Sequence, residues 1–349
     1  MRQLITLRPI NNTLNMKRAI ILTLLFCSQF ALAQASLPII DMQLHAHPID
    51  GQGPPPVAIC TPIYPMPVWD PAEKYSDVFL RMLKEPPCDN PVWSPTTDEA
   101  LMQETFDVLD KYNIYGVLSG TVDRVAKWRS LRPDRLYPAI EMSISPNTPS
   151  TDSLRSLHKN GNLMVLGELT TQYAGIYPND DKLEPYFELA EELDIPVGIH
   201  VGPGPPGVIY LGASNYRAKM HSPLTLEEVL VRHPKLRLYI MHGGYPMLDD
   251  LLAVLYAHPQ VHLDVGVIVF TQPKEAFYKW LKAIVDAGFG NRVMFGSDQM
   301  VWPGVIERSV KIIEEAPFLT ESQKRDILYN NAARFLRLSD DEIARHHGK

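Results

Sequence analysis

The chain has 349 residues, of which 45% are hydrophobic and 21% are charged, a composition typical of a globular protein with a sizeable core. Its formal net charge of −7 argues against the basic surface that nucleic acids and anionic membranes require. The length suits two average domains or one large α/β barrel. We therefore expect a small molecule as the partner. Whether the chain forms a homo-oligomer stays open.

Residues 1–33 have the pattern of a secretory signal peptide. A basic pair precedes the apolar run 19–26, and small residues typical of a cleavage site end at Ala33. A transmembrane helix is the alternative, but the run is short for a span. Met16 is an alternative start. We expect export to the periplasm or the outside of the cell, with no membrane attachment after cleavage and a remaining net charge of −11.

The chain that follows opens with an apolar stretch, residues 39–44, which predicts a buried β-strand. It ends in His45 and His47. Residues two apart on a strand point to the same face, so both imidazoles are expected side by side. Neutral imidazoles are frequent ligands of zinc and related metals. Two unrelated surface histidines are the alternative.

A proline-rich segment, residues 48–96, comes next. Its prolines predict that it forms neither a helix nor a central strand. Loops of this length are usually functional or disordered, and the aromatic residues favour an ordered, lid-like insertion. It also carries Cys60 and Cys88, the only cysteines beyond residue 33. A disulfide between them is expected in an oxidising compartment, with two free thiols as the alternative.

From residue 97 onwards, helical and strand patterns alternate. Strands are predicted at 114–118, 137–142, 163–169, 195–201, 236–241, 261–265 and 293–295, and helices at 97–111, 150–159, 182–193, 225–232, 247–257, 274–287, 304–315 and 320–336. The pattern predicts a (β/α)8 TIM barrel as a single domain over residues 34–338, with a C-terminal tail at 339–349. An open doubly wound sheet is the alternative, but no glycine-rich phosphate fingerprint follows an early strand.

Polar residues of metal-ligand or acid/base type close nearly every predicted strand. In TIM barrels the chemistry occurs at these carboxyl ends. The residues are His45, His47, Glu168, His200, His242, Asp264 and Asp298. By chance we would expect one or two. The other histidines lie on helices, at helix ends, at the start of a strand or in the tail and are predicted to be structural or solvated, and His221 stays open.

The order of these motifs resembles the amidohydrolase superfamily, in particular its amidohydrolase-related branch of metal-dependent hydrolases and decarboxylases. The resemblance spans about residues 38–338. It rests on Asp41-x-x-x-His45-x-His47, His200, His242-Gly243-Gly244, Gly296-Ser297-Asp298 and the closing stretch 331–336. It implies a distorted (β/α)8 barrel that holds a divalent metal, usually zinc.

The resemblance also implies roles for individual residues. His45, His47, His200 and Asp298 would hold the metal, and Asp298 would take a proton from water. His242 would polarise a substrate oxygen or act as general acid. A metal with open coordination positions lowers the pKa of bound water to roughly 7 and polarises carbonyl groups.

Five further residues are expected to support the site or the barrel. Glu168 could bridge to a second metal or contact the substrate. Asp264 is expected to be a buried carboxylate that accepts hydrogen bonds from backbone amides, and Asp41 is expected to be structural. Asn331 and Arg334 are expected to tie the last helix to the barrel.

Weaker signals concern substrate contacts beyond the strand ends. The candidates are Arg124, Tyr173 and Arg217, with Trp128, Arg129, Tyr210 and Tyr216 nearby in sequence. An arginine among them could clamp a carboxylate through two hydrogen bonds, and a solvated surface arginine is the alternative.

Three functions are compatible with this set of residues. We favour a metal-dependent hydrolase of an amide or lactone. The second reading is a non-oxidative decarboxylase of an aromatic or muconate-like acid, and the third a non-catalytic exported metal- or ligand-binding protein.

Overall fold

Eight parallel strands form a nearly closed barrel, which confirms the predicted (β/α)8 TIM barrel. The computed structural model describes residues 37–349, and the predicted signal peptide lies outside the described residues. The strands are β1 (Ile39–His45), β2 (Ala58–Ile59), β3 (Val92–Trp93), β4 (Ile114–Ser119), β5 (Leu136–Met142), β6 (Val165–Leu169), β7 (Val197–His200), β8 (Leu238–Met241), β9 (His262–Asp264) and β10 (Val293–Met294). The barrel order is β1-β4-β5-β6-β7-β8-β9-β10, and β2 pairs separately with β3.

Helices surround the barrel and follow most strands. They are α1 (Tyr75–Lys84), α2 (Asp98–Lys111), α3 (Val122–Leu131), α4 (Thr151–Lys159), α5 (Glu184–Leu193), α6 (Glu227–Arg232), α7 (Leu248–Ala257), α8 (Ile268–Thr271), α9 (Lys274–Asp286), α10 (Gly304–Glu314), α11 (Glu321–Arg325), α12 (Asn331–Leu336) and α13 (Asp340–His346). The sequence did not predict α3. A π-helical stretch, Asp326–Asn330, divides the predicted helix 320–336. Within residues 37–349 no helix is long and apolar enough to cross a membrane.

A β-bulge in β1 decides which of its side chains face the barrel interior. Asp41 pairs with Gly116 and Leu44 with Leu118, so β1 has one extra residue here. Ile40 and Met42 belong to the interior cluster, whereas Leu44 packs in the larger cluster with the helices. The extra residue therefore reverses the alternation, as bulges do.

Two backbone hydrogen bonds connect the last strand region to the first. Met42 N donates to Phe295 O at 2.9 Å, and Asp298 N donates to Gln43 O at 2.8 Å. The second bond fixes the backbone of Asp298 beside β1. These bonds therefore bring the motifs of the first and last strands together at one mouth of the barrel.

The insertion at 48–96 is ordered and partly helical, so the prediction that it excludes a helix was wrong. Residues 72–85 contain no proline, and α1 forms within that stretch with Tyr75 and Leu83 buried. Cys60 and Cys88 form the expected disulfide. The disulfide links β2 to the segment that follows α1.

The C-terminal segment predicted as a tail is an ordered helix, α13, that packs at the amino ends of the strands. Ser339 begins it with a capping box. His346 is buried and stacks on Tyr115 with 3.5 Å between ring centroids. Its ring nitrogens lie 3.0 Å from the Tyr137 hydroxyl and 2.9 Å from the Tyr329 hydroxyl. The helix therefore covers the end of the barrel opposite the strand-end histidines.

Candidate metal centre

His45, Glu168, His200 and Asp298 converge at the carboxyl ends of their strands. His45 Nε2 lies 3.0 Å from Asp298 Oδ1 and 3.3 Å from Glu168 Oε2. His200 Nδ1 lies 2.6 Å from Glu168 Oε1. All four side chains are buried. Residues separated by more than 250 positions in sequence thus form one polar cluster because parallel strands present their carboxyl ends at the same mouth.

His47 pairs with Glu141, a residue that the sequence analysis missed. His47 Nε2 lies 2.7 Å from Glu141 Oε2, and the His45 and His47 rings stack with 4.3 Å between centroids. Burial alone would raise the pKa of Glu141, but hydrogen bonds with His45 and His47 lower it to about 2. Glu141 is the next-to-last residue of β5, so the strand-end criterion could have found it.

His242 lies beneath the cavity floor rather than on it. It is 1% exposed and is not among the residues that line the cavity. Its Nδ1 donates to Gly266 O at 2.9 Å, and its Nε2 lies 3.0 Å from His200 Nδ1 and 3.6 Å from Glu168 Oε1. The predicted contact of His242 with a substrate oxygen stays a prediction. We interpret His242 as a residue that positions His200 and Glu168.

The turn after His242 requires glycine. Gly243 and Gly244 have φ angles of 54° and 68°, in the left-handed region that favours glycine. A Cβ atom on Gly243 would lie 2.7 Å from the Trp280 ring. The His242-Gly243-Gly244 motif therefore reflects a close approach of the backbone to a neighbouring helix.

Buried carboxylates support the site from behind. Asp264 Oδ1 accepts hydrogen bonds from His242 N and Gly266 N, both at 3.0 Å, as expected. Asp41 Oδ1 accepts from Gln43 N at 3.0 Å and Ser297 N at 2.9 Å. Burial raises the pKa of Asp41 to about 7 and that of Asp264 to about 6. These groups hold the backbone on both sides of the cluster.

Gln43 is a second residue that the sequence analysis missed. Its Nε2 donates to Glu168 Oε2 at 3.0 Å. This contact orients the Glu168 carboxylate, whose other oxygen faces His200. Glutamine is not a typical metal ligand, and Gln43 reaches the interior because of the bulge in β1. Nothing in the residue pattern of β1 indicates it.

The donor set fits a divalent metal. The ligand atoms of His45, His47 and Glu141 lie within 4.8 Å of one another, and so do those of Glu168, His200 and His242. His200 Nε2 is buried without a hydrogen-bond partner in the described structure. A buried nitrogen of this kind carries a desolvation cost that a bound cation would remove.

The electrostatics of the cluster also favour a bound positive charge. Burial alone would lower the pKa of His45, yet hydrogen bonds with Asp298, Glu141 and Glu168 raise it well above its usual range. The carboxylates thus stabilise a cation at this position. Imidazole and carboxylate donors together suit zinc and similar ions. Since two groups of donors are present, the arrangement is compatible with one ion or with a pair.

A cavity of about 650 Å³ opens above the cluster. His45, His47, Glu168, His200 and Asp298, all predicted as ligands, line its floor together with Glu141. Residues 51–87 of the insertion form much of the wall. The insertion therefore lies over the predicted metal ligands.

Of the predicted substrate contacts, the structure brings only Tyr173 to this cavity. Tyr173 lines the wall, and its ring centroid is 4.7 Å from that of His200. Arg217 is exposed and donates to Ser214 O and Tyr216 O at 2.8 and 2.7 Å. It does not line the cavity, and its predicted contact with substrate stays a prediction.

Arg124 is also directed away from the cavity. Its guanidinium donates to Ala46 O at 2.7 Å and His47 O at 2.6 Å. It also pairs with both oxygens of Asp98, at 2.9 and 3.0 Å. These contacts fix the backbone that carries His47. We therefore interpret Arg124 as a positioning residue rather than a substrate clamp.

Comparisons with known proteins agree with the observed barrel fold. A family model described as amidohydrolase matches residues 40–338. No curated protein is similar to the chain at a significant level.

Several solved structures share the fold at low sequence identity. An uncharacterised TIM-barrel protein from Bordetella bronchiseptica is 18% identical, with a TM-score of 0.58 over 90% of this chain and 100% of that one. A probable 2-pyrone-4,6-dicarboxylic acid hydrolase from Acinetobacter baumannii is 15% identical, with a TM-score of 0.55 over 86% and 99%. The 5-carboxyvanillate decarboxylase of Sphingomonas paucimobilis is 16% identical, with a TM-score of 0.53 over 87% and 100%.

Proposed function

Because the chain belongs to the amidohydrolase family, we propose that it is a metal-dependent hydrolase that cleaves an amide or lactone in a small organic substrate. The observation that carries the proposal is the position of Asp298. Its carboxylate lines the cavity floor with Oδ1 3.0 Å from His45 Nε2. Hydrolysis needs a base at that point to accept a proton from water.

Each residue of the cluster has a distinct task in this proposal. His45, His47 and His200 would hold the ion, with Glu168 and Glu141 as oxygen donors or partners. A divalent metal held there, most simply zinc, would supply a water nucleophile at neutral pH and polarise the substrate carbonyl. Asp298 accepts a proton from the attacking water and can return it to the leaving group. Tyr173 packs beside His200 and contacts the substrate.

Non-oxidative decarboxylation is the second candidate. A decarboxylase is among the similar structures, and a metal held by the same donor set could bind a substrate carboxylate. A non-catalytic binding protein is the third, and the presence of every expected ligand type at the strand ends argues against it.

We also propose that the protein is exported. The Cys60–Cys88 disulfide supports this, because such bonds persist in oxidising compartments. The amino-terminal pattern of a signal peptide points in the same direction.

The test combines metal analysis, a substrate panel and one variant. We expect purified protein to contain a stoichiometric divalent metal, and an absence of metal would refute both enzyme proposals. Lactones, amides and aromatic acids are then assayed, with CO2 release measured in parallel. Hydrolysis without CO2 supports the first candidate, and CO2 release from an acid without hydrolysis supports the second.

The variant Asp298→Asn tests the proposed base. Turnover should fall by roughly 10²–10⁴-fold, the usual contribution of general base catalysis, with metal largely retained. Asp286→Asn, at an exposed position on α9, serves as the control and should leave turnover unchanged. Undiminished activity of Asp298→Asn with bound metal would exclude Asp298 as the base.

A further inference from the structure

The cavity wall above the metal cluster is largely apolar. Ile59, Ile63, Phe79 and Met82 of the insertion face it from one side. Val208, Leu211, Val267 and Trp302 contribute from the loops of the barrel. The volume of about 650 Å³ is in the range of pockets that enclose drug-sized ligands. The wall therefore offers dispersion contacts and burial rather than charge.

Among the residues that the structure describes, no lysine or arginine lines this cavity. Basic residues of the insertion form their contacts outside the cavity. Arg81 pairs with Glu73 at 3.0 Å, and Lys84 donates to Pro56 O at 2.8 Å. From α10, Arg308 donates to Asn90 O at 2.8 Å. None of these cations is available to a ligand in the cavity.

The acidic side chains of the cavity belong to the metal cluster. Glu141, Glu168 and Asp298 all lie on its floor. A ligand with a carboxylate remote from the metal would lose its hydration against apolar side chains, without a cation to replace it. This desolvation acts against a charged group on the body of the ligand.

We propose that the cavity selects substrates whose body is uncharged and largely apolar, with the scissile amide or lactone as their polar end. This inference rests on the proposed hydrolase function for the scissile group, whereas the preference for a neutral body comes from the wall alone. It distinguishes the chain from the two relatives named above for carboxylated compounds, whose names specify 2-pyrone-4,6-dicarboxylic acid and 5-carboxyvanillate.

Two fluorescent probes with the same ring system test the preference without turnover. N-phenyl-1-naphthylamine is neutral, and 8-anilinonaphthalene-1-sulfonate carries one negative charge. We expect zinc-loaded protein to bind the neutral probe at least tenfold more tightly in fluorescence titrations. Equal or tighter binding of the sulfonate would overturn the inference.

A charge placed in the wall should change this ratio. Met82→Arg puts a cation inside the cavity, and we expect it to shift the ratio of the two dissociation constants at least tenfold towards the sulfonate. Leu80→Arg makes a similar change on the same helix outside the cavity, and the ratio should change less than twofold. Gln272→Arg, at a polar position of the wall, repeats the test if Met82→Arg does not fold. An unchanged ratio in the folded cavity variants would refute the inference.

Turnover separates this inference from the hydrolase proposal. A neutral aryl lactone and its carboxylated analogue are compared at equal concentration, and the neutral compound should have at least a tenfold higher kcat/KM. If neither is hydrolysed while the probe results hold, the hydrolase proposal fails and the cavity preference stands. Faster hydrolysis of the carboxylated lactone refutes the preference alone.

Discussion

Replacing Arg124 with methionine should destabilise the protein and weaken its metal site without removing a substrate contact. The guanidinium binds two main-chain oxygens, Ala46 O and His47 O, and forms two hydrogen bonds with the Asp98 carboxylate. Its side chain is 25% exposed and that of Asp98 is 36% exposed. Methionine keeps much of the apolar stem but makes none of these bonds.

The expected loss is about 3 kcal/mol in the free energy of unfolding. Hydrogen bonds to charged groups contribute roughly 1.5–3 kcal/mol each, and partial exposure together with non-additivity reduces the sum. A loss of this size lowers Tm by roughly 4–5 °C in a protein of this length. The backbone at His47 loosens at the same time, so the affinity for zinc should fall roughly tenfold.

Urea unfolding of the zinc-loaded protein and zinc competition with a chromophoric chelator measure the two effects. Lys127→Met is the control, because Lys127 lies on the same helix as Arg124 and forms an exposed ion pair with Glu99 of α2. This change should alter stability by less than about 1 kcal/mol. Unchanged stability and zinc affinity, with a KM raised tenfold or more, would show instead that Arg124 clamps the substrate.

The pH dependence provides a further check on Arg124. The hydrogen bonds from Arg124 lower the pKa of Asp98 below its usual value of 3.8. The ionised carboxylate is therefore favoured by folding, and this contribution is present above about pH 4 and lost as the pH falls through the lowered pKa. Arg124→Met should remove this part of the acid sensitivity.

Three further predictions concern other parts of the molecule. Glu141→Gln should lower zinc affinity roughly 10–100-fold in chelator competition, and unchanged affinity would remove Glu141 from the site. Replacing both Cys60 and Cys88 with serine should cost about 3–4 kcal/mol in urea unfolding, because the bond closes a loop with a sequence separation of 28; a cost below about 1 kcal/mol would contradict the entropic argument. Burial lowers the pKa of His346 to about 4 from 6.5, so the cationic form is disfavoured by folding and stability should decrease as the pH falls from about 6.5 towards 4. His346→Phe should flatten that slope in unfolding curves recorded across this pH range, and an identical slope would mean that His346 is not its source.

The barrel and the floor of the site were accessible from the sequence because both depend on local patterns. Apolar runs mark the strands, and parallel strands end at one mouth, so His45, His200 and Asp298 could be grouped without coordinates. Glu141 also lies near the carboxyl end of its strand, but Met142 follows it, so Glu141 does not close the apolar run. An acidic residue one position before the end of a predicted strand was thus overlooked.

Other features depend on contacts that no local pattern encodes. Gln43 reaches Glu168 only because β1 has one more residue than β4 between two paired positions. Arg124 follows a strand end, yet its partners come from the loop after β1 and from the start of α2. Residue type indicates what such side chains can bind, whereas the fold decides which partner is near.

Asp98 has a consequence for how this protein could be altered. Its Oδ1 accepts a hydrogen bond from Ile49 N at 2.8 Å, at the beginning of the insertion, while Asp98 itself lies just beyond the end of the insertion. Both ends of the segment are thus fixed at one carboxylate, next to the barrel but outside the metal cluster. Residues 50–96 contain none of the predicted metal ligands, so we expect that a segment anchored in this way can be exchanged as a unit with the ligand set retained. We therefore expect substrate range and metal chemistry to be separable in this chain, with the insertion as the part to exchange between related barrels.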